Sequence, residues 1–427
     1  RFTGRVGRRY ESRVAGIRVM TPMMDIETIA AGGGSICDVD QNGRMIVGPA
    51  SAGADPGPAC YGRGGPLTVT DVNLVLGRIP VHKFPFPLDV IAAKDQLAKV
   101  RAKLPEAVEF DSKEQLADGF LRIAVTHMAE AVRSVSTAQG TDVRQMTLVG
   151  FGGAAGQHVC RIAETLEMNR IIDHPDAGLM SALGMGLASV GRVVTRGVYR
   201  EFSEQSADQI TVIGNELMAQ ATAMLSTDQD PDQVCQFDLQ CDLRYRGTES
   251  TLALACEPKH SLPDRFHQLH RQTFGYAQPE RPLELVAVRC EATLPAMTNA
   301  DERKVVLKTG SQESTRIWNR NDWLEADCLD RDSLGEGTKV SAPAMIVGDY
   351  STLLIEPGWQ AKVIADDVIE LIPVASERPT ALAKRTEQDT GDPVLLEVIA
   401  RRLQGIADAM GEVLRRTAIS VNVKERR

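Results

Sequence analysis

The chain has 427 residues, with 48 lysines and arginines against 57 aspartates and glutamates, which gives a formal net charge of −9. This length is enough for two or three domains, and the hydrophobic content of 43% is ordinary for a globular protein. The negative charge argues against general binding to nucleic acid or to an anionic membrane. Because aromatic residues make up only 4%, the core must rest mainly on aliphatic side chains, alanine and glycine.

The first clear elements are a hairpin and a short helix. Residues 35–47 alternate around the turn sequence Asp40-Gln41-Asn42-Gly43, which predicts a β-hairpin. Residues 88–104 have helical spacing of apolar positions. The apolar side of that predicted helix comprises Leu88, Ile91, Leu97 and Val100.

A long helix is predicted next. Ser112 and Gln115 have the spacing of a capping box at its start, and Gly140 is a suitable residue for its end. Apolar residues recur at three- or four-residue spacing between them. His127 lies near this apolar face, and we interpret it as a packed structural histidine.

The most informative motif is Phe151-Gly152-Gly153-Ala154-Ala155-Gly156-Gln157-His158. It follows the apolar run 146–149 and opens an amphipathic pattern, which predicts a strand, a glycine turn and a helix. Glycines there let the backbone approach a ligand closely, and free N–H groups favour anionic or polar ligand groups. Glycines in such a turn also serve packing alone, and the motif by itself leaves both interpretations open.

A helix with small residues is predicted over 178–188. From Tyr199 onward strand-like runs become more frequent, and further helices are predicted over 210–225 and 262–274. The strand-like runs beyond residue 230 are 234–245, 250–256, 283–294, 304–307, 344–347, 352–355 and 360–363. Residues 373–392 have the composition of a linker, and a final helix begins at Pro393 with an apolar stripe.

Eight cysteines occur singly, without a CxxC pair or a zinc-ligand spacing. We interpret them as reduced thiols and expect a cytoplasmic protein. The least charged run, 177–191, is too short and too rich in glycine to cross a bilayer. The chain starts without methionine and stops within a pattern, so we expect it to be a fragment of a longer protein.

Three more strings accompany the glycine turn: AGGGS at 31–35, SAGADPGPACYG at 51–62 and GGPLTVTDVNLVLGR at 64–78. In this order they resemble the hydantoinase A/5-oxoprolinase family, ATP-using enzymes that open cyclic amides. The last string and FGGAAGQHVC at 151–160 look most like 5-oxoprolinase. The sequence from Asp392 to Glu397 and that from Ser420 to Arg426 resemble the opening of hydantoinase B, so the parent protein resembles a fused A–B enzyme.

The resemblance implies an α/β fold, with an actin/sugar-kinase/Hsp70-like ATPase lobe followed by a β-rich α+β C-terminal domain. We expect the ATPase-like domain, incomplete at its N-terminus, over 1–200 and the β-rich domain over 201–372. A linker over 373–392 and the first, truncated helix of a hydantoinase B-like domain over 393–427 complete the expected organisation.

The resemblance also implies three groups of site residues. Turn residues would bind the nucleotide: Gly152, Gly153, Ala154, Gly156, Gln157 and His158. A second group would line the cleft near phosphates or substrate: Thr28, Gly32, Gly33, Gly34 and Ser35. The catalytic candidates are Asp25, Asp55 and Asp71, and for Asp55 and Asp71 a turn-forming or capping role competes with catalysis.

Two positions depart from the family pattern. Family members often have glycine where Ala155 stands, and 5-oxoprolinases commonly have histidine where Asp55 stands, whereas hydantoinase-like members have aspartate. The substrate therefore stays open between 5-oxo-L-proline and a hydantoin. The family's two phosphate-binding loops would precede Arg1, so we expect the chain alone to be inactive.

The expected reaction is ATP-dependent hydrolysis of 5-oxo-L-proline to glutamate, with Mg²⁺ or another divalent cation and with K⁺ as a further candidate ion. The expected partners are the B-like domain of the same parent chain and further copies in a homo-oligomer, with no nucleic acid and no membrane. The alternatives are an N-methylhydantoinase, a nucleotide-binding subunit of acetone carboxylase, and a non-hydrolytic ATP-binding member of the same fold.

Overall fold

The computed structural model describes residues 8–9, 12–14, 17–19, 23–24, 26, 29, 31–106, 108–138, 141–226, 235–248, 251–258, 261–294, 313–374 and 393–417. The helices in these ranges are α1 (Val69–Val75), α2 (Val90–Arg101), α3 (Lys113–Ala138), α4 (Val159–Thr165), α5 (Met180–Leu187), α6 (Ser206–Ser226), α7 (Leu262–Phe274) and α8 (Pro393–Thr417). The mixture of these helices with several sheets confirms the predicted α/β class.

The strands in the same ranges are β1 (Arg8–Arg9), β2 (Ser12–Val14), β3 (Ile17–Val19), β4 (Met23–Met24), β5 (Ser35–Val39), β6 (Met45–Ser51), β7 (Leu148–Gly150), β8 (Ile171–Asp173), β9 (Gly191–Glu201), β10 (Gln236–Tyr245), β11 (Leu252–Ala255), β12 (Leu283–Thr293), β13 (Glu313–Asn319), β14 (Asp322–Asp330), β15 (Lys339–Ser341), β16 (Ala344–Val347), β17 (Thr352–Ile355), β18 (Trp359–Val363) and β19 (Ile369–Pro373).

The first core is formed by the β5–β6 hairpin and helices α1, α2 and α3. The hairpin turns at the predicted site, where the Asp40 carboxylate accepts bonds from the amides of Asn42 and Arg44, both at 2.9 Å. The predicted short helix is confirmed as α2, capped by the Asp89 carboxylate. Its apolar side was predicted wrongly at Ile91, which is 72% exposed, because the helix turns Ala93 toward the core instead.

Helix α3 begins as its capping pattern predicts. The amide of Gln115 donates to Ser112 Oγ at 3.1 Å, and the Gln115 side chain accepts from the amide of Asp111 at 2.9 Å. His127 is partly buried, and burial lowers the pKa of its ring. This agrees with a packed histidine. Gly140, the predicted end, lies outside the described residues.

A five-stranded sheet in the order β15-β18-β19-β8-β7 forms the second core. Strands β7 and β8 are parallel and are joined by the short helix α4. Strand β8 pairs with β19, with Ile171 opposite Leu371. Strands on both sides of the predicted boundary at residue 200 therefore share one sheet.

Residues 191–294 build a separate antiparallel sheet in the order β11-β10-β12-β9, covered by α6 and α7. The predicted helix over 262–274 is confirmed as α7. A further sheet has the order β13-β14-β16-β17, in which β14 and β16 are parallel. The predicted run 304–307, and residues 375–392 of the predicted linker, lie outside the described residues.

Helix α8 packs on α3, and Val394 is buried in the first core. Its other side remains apolar and exposed, as the sequence predicts. The exposed residues are Leu396, Ile399, Leu403, Ile406, Met410 and Leu414. In the part of the chain that the structure describes, no helix combines the length and the apolar character needed to cross a membrane.

Gly77 links the first core to β13 and offers a test of this packing. Its φ is +70°, and a Cβ there would overlap the carbonyl oxygen of Arg316. Gly64 has a φ of +75° and open space around it, so it serves as a matched control. We expect Gly64→Ala to cost about 1–2 kcal/mol through backbone strain and Gly77→Ala about 3 kcal/mol or more, measured by urea unfolding. Equal losses would show that β13 does not approach Gly77 this closely.

Candidate functional site

The glycine turn connects β7 to α4 through a short 3₁₀ turn at Ala155–Gln157. Gly152 has a φ of +103°, in the region that favours glycine, and its amide donates to the carbonyl oxygen of Ala177 at 2.6 Å. The amide of Ala155 donates back to the carbonyl oxygen of Gly152 at 3.2 Å. The order strand, glycine turn and helix is thus the predicted one.

The glycines of the turn have different surroundings. A Cβ on Gly156 would lie 2.5 Å from the carbonyl oxygen of Thr352, so the close approach of β17 requires glycine there. A Cβ on Gly153 would lie 3.1 Å from the carbonyl oxygen of Tyr350. Gly152 has open space around it. Packing therefore accounts for Gly156, and Gly152 is left with room for a ligand.

Gln157 and His158 face the protein interior. The carbonyl oxygen of Gln157 accepts a hydrogen bond from the Arg78 side chain, and the side-chain amide nitrogen of Asn73 lies 3.3 Å from His158 Nε2. Burial, reinforced by the charge of Arg78, lowers the pKa of His158 to about 3, so the ring is neutral. Gln157 and His158 therefore anchor the turn to Arg78 and Asn73 in the protein interior.

The second glycine cluster is held by α1 and β6. The carbonyl oxygen of Gly33 accepts from the amide of Thr70 at 2.9 Å and from its hydroxyl at 3.0 Å. The carbonyl oxygen of Gly34 accepts from the Ser51 hydroxyl at 3.2 Å, and Ser35 is buried. Gly32 is exposed with nothing near its Cβ position. This loop thus exposes Gly32 at the surface, while Gly33 is held against Thr70.

Asp71 is enclosed and fully engaged. Its carboxylate accepts from the amide and hydroxyl of Thr68, both at 2.8 Å, and from the amides of Ala59 at 3.1 Å and Cys60 at 2.7 Å. It therefore caps α1 and ties the 51–62 loop to that helix. The geometry favours the capping role over the catalytic one for this residue.

The remaining catalytic and cleft candidates differ in placement. Asp55 is exposed in the 51–62 loop, open to solvent. Asp25 and Thr28 lie outside the described residues. The structure therefore brings together α1, the 31–35 loop and the 51–62 loop, and it leaves Asp55 as the accessible carboxylate of the described candidates.

Sequence reasoning missed a buried ion network beneath the glycine turn. Glu356 Oε1 accepts from Arg78 Nη1 at 2.7 Å and from Arg161 Nε at 2.8 Å, and Arg161 also pairs with Asp118 at 2.6 Å. Burial alone would raise the pKa of Glu356, but the two guanidiniums hold it at about 2. Arg78 ends the string GGPLTVTDVNLVLGR, so that motif could have indicated a role for this arginine. Glu356 lies in no motif that the sequence analysis found.

Residues 1–193 match the family described as Hydantoinase/oxoprolinase, and residues 392–427 match Hydantoinase B/oxoprolinase. The chain belongs to the hydantoinase/oxoprolinase family. Among its relatives, 5-oxoprolinase PfmaA of Pestalotiopsis fici is 32% identical over 446 residues, covering 100% of this chain and 34% of the relative. The 5-oxoprolinase of Saccharomyces cerevisiae is 30% identical, covering 99% of this chain and 34% of the relative. The chain thus spans about a third of the length of these relatives.

Two solved structures have the same fold as this chain. An ATP-dependent caprolactamase from Pseudomonas jessenii superposes with a TM-score of 0.72 at 28% identity, covering 85% of this chain and 55% of that one. A nucleotide-free acetone carboxylase superposes with a TM-score of 0.64 at 18% identity, covering 87% of this chain and 56% of that one, and it supports the fold alone. The predicted ATPase-type α/β fold is confirmed.

A metal site was left unassigned by the sequence. The described residues contain no group of three or more histidine, cysteine, aspartate or glutamate side chains able to hold a metal ion. No residue of this part of the chain is therefore assigned to the divalent cation.

The neutral state of His158 predicts a dependence of stability on pH. Its folded pKa of about 3 lies below the ordinary value of 6.5, so the unfolded chain binds the extra proton and stability falls as the pH drops below about 6.5. We expect His158→Gln to remove about 2 kcal/mol of the loss in unfolding free energy between pH 7 and pH 5. Urea unfolding at the two pH values measures this. Parallel losses in variant and wild type would mean that the ring is accessible to protons.

Proposed function

We propose that this chain is the nucleotide-binding part of an ATP-dependent cyclic amide hydrolase of 5-oxoprolinase type. The observation that carries the proposal is the similarity to 5-oxoprolinases along this whole chain, together with an open glycine turn at the strand–helix junction. The caprolactamase subunit alpha of Pseudomonas jessenii, 29% identical over 389 residues, supports a cyclic amide as the substrate class.

In this proposal the glycine turn receives the adenosine side of ATP. Gly152 supplies the open approach, while Gly153 and Ala154 form the adjoining surface. Gly156, Gln157 and His158 hold the turn in place through β17, Arg78 and Asn73. When bound, ATP supplies a phosphoryl group to the amide oxygen, with ADP as the leaving group, and this activates the amide carbon toward attack by water.

The cleft side of the proposed site is the surface of the 31–35 loop. Its backbone is fixed by Thr70 and Ser51, so Gly32 can present main-chain groups to phosphate or substrate without a side chain in the way, while Gly33 packs against Thr70. Asp55 is the exposed carboxylate of the neighbouring 51–62 loop, and we propose it for contact with the cyclic amide or with water. Asp25 and Thr28 remain candidates from the sequence.

The proposed partner is a hydantoinase B-like domain of the same parent protein. Residues 392–427 match that family, and α8 within them exposes an apolar stripe opposite the face that packs on α3. We propose that the B-like domain covers this stripe. A homo-oligomer, a cytoplasmic location, and the use of Mg²⁺ or another divalent cation with K⁺ as an additional ion complete the proposal.

The substrate can be decided by assay of the full-length parent protein. We expect ATP-dependent release of glutamate from 5-oxo-L-proline, with release of phosphate, and slower turnover of hydantoin and N-methylhydantoin. Product formation from hydantoins alone would assign the rival N-methylhydantoinase activity, consistent with aspartate at position 55. ATP binding without turnover of any cyclic amide would favour the non-hydrolytic alternative.

The nucleotide site can be tested at Gly152. Gly152→Ala adds a methyl group in open space at a φ of +103°, and Gly275→Ala adds one in open space at a φ of +84° at the end of α7. We expect both to lose about 1–2 kcal/mol of stability through backbone strain. Only Gly152→Ala should weaken ATP binding, by about tenfold or about 1.4 kcal/mol, in calorimetric titration of the full-length protein. Equal affinities in the two variants would remove the turn from the nucleotide site.

A further inference from the structure

The ion network around Glu356 connects three elements that are distant in sequence. Glu356 directly follows β17, Arg161 lies in α4, and Arg78 follows α1. Arg78 is fully buried, with one nitrogen on the Glu356 carboxylate and another on the carbonyl oxygen of Gln157. A planar guanidinium fixes the direction of both bonds at once, so the position of Gln157 is set relative to α1.

Stability alone is a poor explanation for this network. Buried ion pairs are often no more stabilising than apolar residues of similar volume, because the charges lose their hydration. Within the described part of the chain, six buried polar atoms of this region have no hydrogen-bond partner in the protein. They are Asn73 Oδ1, Arg78 Nε, Gln157 Oε1, His158 Nδ1, Arg161 Nη2 and Glu356 Oε2. The directional bonds of this network nevertheless fix the relative positions of the three elements that carry it.

Helix α1 extends the effect of the network to the second glycine loop. At its start, Thr70 binds the carbonyl oxygen of Gly33. Toward its other end, the Asn73 side chain contacts His158, and Arg78, three residues beyond the helix, donates to the carbonyl oxygen of Gln157. One short helix therefore contacts both candidate loops, and it sets the distance between them.

We propose that Arg78, held by Glu356, is a positioning residue that fixes the glycine turn 151–158 relative to α1 and thereby relative to the 31–35 loop. The inference rests on the proposed function, because that turn is the proposed nucleotide site. Arg78 does not touch the nucleotide in this arrangement; it acts through the carbonyl oxygen of Gln157.

The first test compares Arg78→Lys with Arg289→Lys. Arg289 is likewise buried and pairs with Asp242 within the β10–β12 sheet, away from the glycine turn, so it controls for the loss of a buried guanidinium. Lysine lacks the fork that spans two acceptors. In the full-length protein without nucleotide, we expect hydrogen–deuterium exchange of residues 150–160 to be at least tenfold faster in Arg78→Lys than in Arg289→Lys. Equal exchange in this segment would overturn the proposal.

A second test separates positioning from stability. Replacing both partners, Arg78→Met with Glu356→Leu, removes the buried pair while Arg161 retains Asp118. We expect the melting temperature to recover toward that of the wild type compared with Arg78→Met alone, while exchange at 150–160 stays fast. Recovery of both quantities would mean that the network serves the fold only, and the proposal would fail.

Calorimetric titration with magnesium and a non-hydrolysable ATP analogue links the two proposals. We expect Arg78→Lys to raise the Kd about tenfold and Arg289→Lys to leave it unchanged. If the wild type binds no nucleotide, the proposed function fails, and the exchange experiment still decides whether Arg78 positions the turn. If the wild type binds and Arg78→Lys has wild-type exchange and affinity, the positioning role fails while the nucleotide site stands.

Discussion

The buried carboxylate of Glu356 is shared by two guanidiniums, and this pairing constrains the elements around it. A charge in such surroundings is tolerated only with partners of opposite charge at close range. The partners come from the end of α1 and from α4, while Glu356 itself follows β17. None of these elements can shift by itself without separating a buried charge from its partner. The end of α1, the helix α4 and the end of β17 are therefore held together at this point.

The glycines around the turn serve two different purposes that look alike in the sequence. Gly156 allows β17 to approach the turn, and Gly178 allows a close approach of Tyr350, whose backbone a Cβ would overlap. Gly152, with a left-handed φ and free space, is shaped by neither contact. The motif at this junction thus combines a packing position with a position that remains open and leaves room for a ligand.

Much of the local structure was predictable because it depends on local patterns. The bounds of α7, β16 and β17 agree with the apolar runs and turn residues that define them. Ile91 was misplaced because helical spacing alone does not say which of two adjacent faces the rest of the chain covers. The role of Asp71 depended on amides of Ala59 and Cys60, which the turn chemistry of the 51–62 loop brings back to α1.

The least predictable part of the candidate site was its support. Glu356 is a single acid after an apolar strand, and its partners lie 278 and 195 positions away. The order of the five-stranded sheet was equally hidden, since β8 pairs with a strand from the far side of the 191–294 unit. Partners so far apart leave no periodic signal in one sequence.

The pairing of β8 with β19 also has a consequence for the synthesis of the chain. The chain between β8 and β19 is about 200 residues long, as the Arg170–Glu370 pair shows, and a ribosome needs about 10–40 s to make it. During that interval the edge of β8 that β19 covers is unpaired, and such an edge exposes the nascent chain to aggregation until the five-stranded sheet is complete.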